Sequence, residues 1–147
     1  MLRPEPPVTQ IEVDAAATRN RPELFELARE TFGALPEWDE TRVVEALRDD
    51  LVFVAREHER LVGYLALRSE PETVLIEQIL VAECAEPEHV GRRLIGHAEG
   101  FAIRERARKL CIVVESSNRP ARNLYQDIGF VPVEDELLEL VLPQAAG

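Results

Sequence analysis

The sequence predicts an α+β fold: a mixed, mostly antiparallel sheet of about seven strands with helices on both faces. Three observations carry this. Hydrophobic spacing switches from helical to alternating after Asp49-Asp50 and stays alternating through three segments joined by short turns. A long helical stretch then leads into Leu110–Val114, a continuous apolar run of the kind found in strands buried on both faces. A second helix, opened by Asn118 and closed by Gly129, is followed by two last strand-like segments.

The elements follow in order. Met1–Pro7 is Pro-rich and expected to be loose. Val8–Asp14 alternates and suits a first strand. Asn20, Pro22 and Glu23 form a helix start, with Leu24, Leu27, Ala28 and Thr31/Phe32 at helical spacing and Gly33 and Pro36 as the stop. Asp39 caps a second helix whose apolar face is Val43, Val44 and Leu47. Leu51–Arg56 and Leu61–Arg68 pair as a hairpin across His58-Glu59-Arg60. Thr73–Val81 returns after Glu70-Pro71-Glu72, so these three strands are antiparallel neighbours. An acidic loop, Ala82–His89, precedes a long helix from about Val90 to Ala107 with Leu94, Ile95, Ala98, Phe101 and Ala102 as its stripe. Gly96 and Gly100 lie one turn apart on it, and close approach to a sheet would offset their helix-weakening effect. The path from Val81 to Leu110 is strand, helix, strand, which implies a parallel pair. Phe130–Val133 and Leu137–Leu142 close the chain as a hairpin.

The chain has 147 residues, with 46% hydrophobic and 31% charged residues, which fits one domain spanning 1–147. The two cysteines, Cys84 and Cys111, form no C-x-x-C pair and read as structural thiols of a reducing compartment. No charged-then-apolar leader and no apolar run near 18 residues is present, so a cytoplasmic protein without a membrane partner is expected. A net charge of −11 argues against nucleic-acid partners, because phosphates would be repelled. The charge is uneven: Arg92–Arg122 carries eight basic and three acidic residues, net +5, which leaves −16 on the remainder. A positive module in an acidic protein suggests one anionic and one cationic ligand, the second an amine.

One stretch carries chemistry. Residues 114–130 read V-E-S-S-N-R-P-A-R-N-L-Y-Q-D-I-G-F. They resemble the S-N-x-x-A-x-x-L-Y-x-x-x-G-F signature of the GNAT N-acetyltransferases at every position. I-E-Q-I-L-V, residues 76–81, resembles that family's fourth strand, and G-R-R-L-I-G-H-A-E-G-F-A, residues 91–102, resembles the helix after its pyrophosphate loop. The element order matches the GNAT-like (acyl-CoA N-acyltransferase) fold from about Val8 to Leu142.

The resemblance implies an acetyl-CoA-dependent enzyme without a metal. Its co-substrate would lie where the fourth and fifth strands diverge, held by the backbone of Ile79, Leu80 and Val81. The pyrophosphate would meet the helix start around Val90, Gly91, Arg92, Arg93 and Leu94. Asn118 would hydrogen-bond the pantetheine arm or a catalytic water, and Ala121 would contact the co-substrate. Tyr125 would contact it too, and would protonate the leaving thiolate. Glu77 would be the base that takes the proton of the attacking amine, provided a bulge overrides the alternation that sends Glu77 and Gln78 to opposite faces. The acceptor would be a small-molecule or protein amine, and a homodimer through the sheet edge fits the fold by analogy.

The chain departs from the family in its pyrophosphate loop. The usual [QR]-x-x-G-x-[GA] is replaced by Glu86-Pro87-Glu88-His89-Val90-Gly91. Pro87 removes one amide donor and three glutamates (Glu83, Glu86, Glu88) bring negative charge, with Arg92 and Arg93 as compensating cations. The alternative expectation is therefore a GNAT-fold binding or regulatory module that has lost catalysis. The short closing hairpin leaves the acceptor side open or completed by another subunit.

Overall fold

The computed structural model describes residues 11–15, 21–83 and 86–144. The expected loose segment Met1–Pro7, the cap at Asn20 and Cys84 lie outside the described residues. Seven strands and four helices alternate along these segments. They are β1 (Ile11–Ala15), α1 (Arg21–Phe32), α2 (Glu40–Asp49), β2 (Leu51–Glu57), β3 (Arg60–Glu70), β4 (Thr73–Val81), α3 (Pro87–Arg104), β5 (Lys109–Val113), α4 (Arg119–Ile128), β6 (Val131–Pro132) and β7 (Leu137–Val141). The sheet order is β1-β2-β3-β4-β5-β7-β6. Every pairing is antiparallel except β4 with β5, the pair joined through α3. The expected mixed sheet with helices on both faces is therefore what the chain forms.

Each face has its own apolar cluster. On one, Leu24, Ala28 and Phe32 of α1 and Val43, Ala46 and Leu47 of α2 cover Val52, Val54, Tyr64 and Ala66. On the other, Leu94, Ile95, Ala98 and Ala102 of α3 cover Phe53, Leu65, Leu67, Ile76 and Ile112, with Tyr125 and Phe130 from the α4 end. At 3.6 residues per turn the buried stripe of α2 runs Val43, Ala46, Leu47, which turns Val44 outward, contrary to the expected face. Asp39 caps α2 as expected, accepting from the Arg42 amide at 3.2 Å.

Two expectations for α3 are corrected. The helix begins at Pro87, about three residues before the expected start, because Pro fits a first helical turn whose amides need no partner. The mid-helix glycines are not points of close approach. Gly96 faces open space and Gly100 meets only the end of the Arg104 side chain. The close approach is at Gly63 in β3, where an added Cβ would lie 2.8 Å from Val90 Cγ1 and 3.0 Å from Leu94 Cδ1. The closing strands are shorter than expected: β6 pairs only through Val131 and Pro132, and Phe130 is buried beneath Tyr125. Gly129 ends α4 at φ 129, ψ 0, a region that glycine enters without strain, and its amide reaches the carbonyls of Tyr125 and Gln126. No helix among the described residues is long and apolar enough to cross a membrane.

Candidate active site

The site forms where the sheet splits. β4 and β5 pair from Thr73↔Lys109 to Ile76↔Ile112, and no pair follows. The next residue is extra. On β3, Leu67 opposes Ile76 and Ala66 opposes Gln78, so Glu77 is bulged out of the ladder. A bulge resets the alternation of side chains. Ile76 points to the α3 side, while Gln78 shares the α1–α2 side with Leu80. Glu77 joins Gln78 there: Arg68 Nη2 lies 3.0 Å from its carboxylate, and Arg42 of α2 donates to its carbonyl at 3.3 Å. The condition attached to Glu77 in the sequence is thus met by the backbone.

Two cavities open along the split, of about 540 and 410 Å³, and they share Glu37, Ile79, Leu80, Asn118, Ala121 and Tyr125 as walls. The larger lies between the end of β4, the first turn of α3 and α4, and adds Val81, Gly91 and Leu124. The smaller lies between β4, β5 and the segment after α1, and adds Glu77, Gln78, Arg42, Val113 and Glu115. Glu37, Glu77 and Glu115 give the smaller cavity three carboxylates against the single guanidinium of Arg42.

Tyr125 stands at the junction of the two. Only 5% of it is exposed, and its ring packs 6.1 Å from that of Phe130. Burial, and secondarily the charge of Glu37, holds its phenol well above the ordinary range, so it is protonated at neutral pH. Among the described residues its hydroxyl has no hydrogen-bond partner, an uncommon state for a buried phenol. Asn118 caps α4, its Oδ1 accepting from the Ala121 amide at 3.4 Å, and lines both cavities as well.

The remaining expected residues divide. Ile79, Leu80, Val81, Gly91, Ala121, Asn118 and Tyr125 line the larger cavity. Val90 and Leu94 instead bury their side chains against β3. The Val90 amide is spent on the Glu86 carbonyl at 3.2 Å, and later amides lie within the helix ladder. The amides without an intrahelical acceptor are therefore those of Glu86, Glu88 and His89, earlier than expected. Arg93 is turned away, donating to the Ile11 carbonyl on β1 at 2.6 Å. Arg92 stays at the rim, 3.1 Å from Glu88 and 3.8 Å from Asp127, both of which line the larger cavity.

With this geometry in view, the comparisons with known proteins are decisive for the family. The sequence profile of the acetyltransferase (GNAT) family matches residues 21–130. The chain belongs to the GNAT acetyltransferase family. A mycothiol acetyltransferase of Jonesia denitrificans is 36% identical over 80 residues, 53% of this chain and 26% of that protein. The chain thus spans about a quarter of the length of that curated relative. Among solved structures, the ribosomal-protein-S18-alanine N-acetyltransferase of Escherichia coli superposes with a TM-score of 0.71 at 18% identity, covering 94% of this chain and 96% of that one. An IAA acetyltransferase of Bacillus cereus gives 0.70 at 22%, covering 85% and 79%. At such identities these structures show a shared fold.

Several wall residues were not foreseen. Glu37 sits in the acidic run Glu37-Trp38-Asp39-Glu40, which signals only a helix start. Arg42 shares an exposed helix face with other charges, and Tyr64, which lines neither cavity but bonds the wall residue Gln78, is one more large residue in an apolar strand. Only the tertiary fold separates them from their neighbours.

Proposed function

We propose that the protein is an N-acetyltransferase that moves an acetyl group from acetyl-CoA to a cationic primary amine by direct attack. The observation that carries this is Tyr125: a buried, protonated phenol without a hydrogen-bond partner among the described residues, at the junction of two cavities.

Acetyl-CoA supplies an activated thioester. The residues available to it fit in kind. The larger cavity is walled by the last residues of β4, whose backbone lost its β5 partner at the split, and by the apolar side of α4. Unpaired strand amides and carbonyls are what an extended amide-bearing arm requires. The amides of Glu86, Glu88 and His89 take over the anion-facing role expected of Val90–Leu94. Arg92, already bridging Glu88 and Asp127 at the rim, adds a cation to the same end of α3.

Glu77 faces the smaller cavity, its carboxylate 3.0 Å from Arg68 Nη2, and takes a proton from the attacking amine directly or through water. Tyr125 gives its proton to the departing thiolate. Glu37 and Glu115 favour a positively charged acceptor, in keeping with the net charge of −11. Neither cysteine is needed as a nucleophile: Cys111 is buried in β5, and its thiol is pushed up to about 11 by burial and by Glu139.

Titration calorimetry with acetyl-CoA, followed by thiol detection of released CoA against a panel of polyamines, aminoglycosides and peptides, tests the reading. Absence of binding at hundreds of micromolar overturns it. The second reading, a ligand-binding module without catalysis, is favoured by one feature: the larger cavity carries the carboxylates Glu37, Glu88 and Asp127 and loses an amide at Pro87. It predicts acetyl-CoA binding with no amine-dependent release of CoA.

A further inference from the structure

Glu77 and Gln78 are gripped at three points from two elements, one on the backbone and two on their side chains. Arg68 of β3 holds the Glu77 carboxylate at 3.0 Å. Arg42 of α2 donates to the Glu77 carbonyl at 3.3 Å. Tyr64 of β3 donates its hydroxyl to Oε1 of Gln78. The first two donors are exposed at the surface, where such contacts are individually weak. Tyr64 differs from them. It is 1% exposed, with its ring 5.7 Å from that of Phe32 of α1. A phenol so placed needs an acceptor, and Gln78 provides it.

The bulge needs such a device. An extra residue on one strand loses its ladder bonds and leaves register to be fixed by other contacts. Neighbouring β5 gives no help, because its pairing stops at Ile76. If the extra residue migrated along β4, Glu77 and Gln78 would return to opposite faces, and one of them would leave the smaller cavity.

We propose that Tyr64 is a positioning residue: its hydroxyl, locked on Gln78, fixes the β4 bulge so that Glu77 stays in the acceptor cavity. The catalytic half of this proposal rests on the functional reading above, whereas the structural half does not. Tyr64 lines neither cavity; it acts through Gln78, and Arg42 ties the same peptide to α2.

Tyr64→Phe removes one oxygen and keeps the ring against Phe32. Hydrogen exchange read on the intact protein without substrate should show amides of residues 76–79 exchanging roughly 5-fold faster or more, with β2 and the N-terminal half of β3 within about 2-fold. Gln78→Met deletes the acceptor from the cavity side and should give the same local pattern, which keeps the contact testable if Tyr64→Phe folds poorly. Unchanged exchange at 76–79, or an equal rise over the whole sheet, overturns the grip. In turnover with an amine found in the panel, Tyr64→Phe should lower kcat by about 10-fold and leave KM for acetyl-CoA within about 2-fold, the scale of one lost hydrogen bond. The same change in a Glu77→Gln background should cost less than about 2-fold, because the residue being positioned is already gone. Equal losses in both backgrounds overturn the positioning role. A wild-type chain that binds no acetyl-CoA overturns the functional reading and the catalytic half with it, while the exchange result still decides the grip.

Discussion

Gly63 and Val90 approach each other more closely than any side chain at position 63 allows: a Cβ there would lie 2.8 Å from Val90 Cγ1, and 3.2 Å from the Leu80 carbonyl on its other side. The contact seats the first turns of α3 on β3, next to the strand that frames both cavities. Gly63→Ala should destabilise the fold by about 1–3 kcal/mol through overpacking, read as a lower urea midpoint with an unchanged slope. Neutral stability would mean that α3 shifts freely against the sheet.

Gly96 makes the opposite case. It lies inside α3 with nothing within 4 Å of an added methyl group, so only the helix propensity changes. Gly96→Ala should stabilise the protein by about 1 kcal/mol. A loss of stability would show that this face of α3 is occupied.

The contrast between these glycines shows what was legible in the sequence. Element types and order came through because hydrophobic period, caps and turns are local: Asp39, Asn118 and Gly129 all act within their own helix. The family signature came through for the same reason, since Asn118 caps α4 and Tyr125 lies on it. What failed depends on neighbours distant in sequence. Whether a helical glycine meets a sheet or water, whether Arg93 reaches the cavity or the Ile11 carbonyl, and which register β4 adopts on β3 are settled by packing. The Glu77 bulge is the instructive case: alternation alone gave the wrong pair of faces, and only the pairing of Ala66 with Gln78 corrects it.

Asn118 serves as cap and as cavity wall at once. Asn118→Ser keeps an N-cap acceptor with a shorter side chain, so stability should change by less than about 0.5 kcal/mol. Asn118→Ala should lose about 1 kcal/mol. Both should weaken acetyl-CoA binding in calorimetry if the amide side chain meets the co-substrate. Weakened binding in Ala alone would assign Asn118 to the cap only.

Alkali should destabilise the fold in a defined window. In the unfolded chain a thiol ionises near about 8.5 and a phenol near about 10. Burial keeps both protonated longer in the fold: Cys111 is raised to about 11, with Glu139 adding to the effect, and Tyr64 and Tyr125 are also raised. The folded state therefore holds protons that the unfolded state has released, so stability falls as pH rises. The Cys111 contribution is fully present below about pH 8.5 and is lost towards pH 11, at up to about 1.4 kcal/mol per pH unit. Chemical denaturation between pH 8 and pH 10 should show this slope flattened in Cys111→Val (conditions of roughly one group titrating). An identical slope in the variant would place the titrating groups elsewhere.

Tyr125→Phe separates the two functional readings. The substitution removes only the hydroxyl, which has no protein partner among the described residues, so stability should hold or rise slightly. The ring remains against Phe130, and the cavity walls remain in place. Acetyl-CoA affinity should stay within about 3-fold of wild type, because the phenol is asked to act on the leaving thiolate and not on the bound thioester. Turnover should fall by about 100-fold or more, the range of a positioned general acid. A fall in kcat with KM unchanged would identify an interaction made only in the transition state. Full turnover in the variant would remove Tyr125 from the chemistry and leave it as a wall of both cavities.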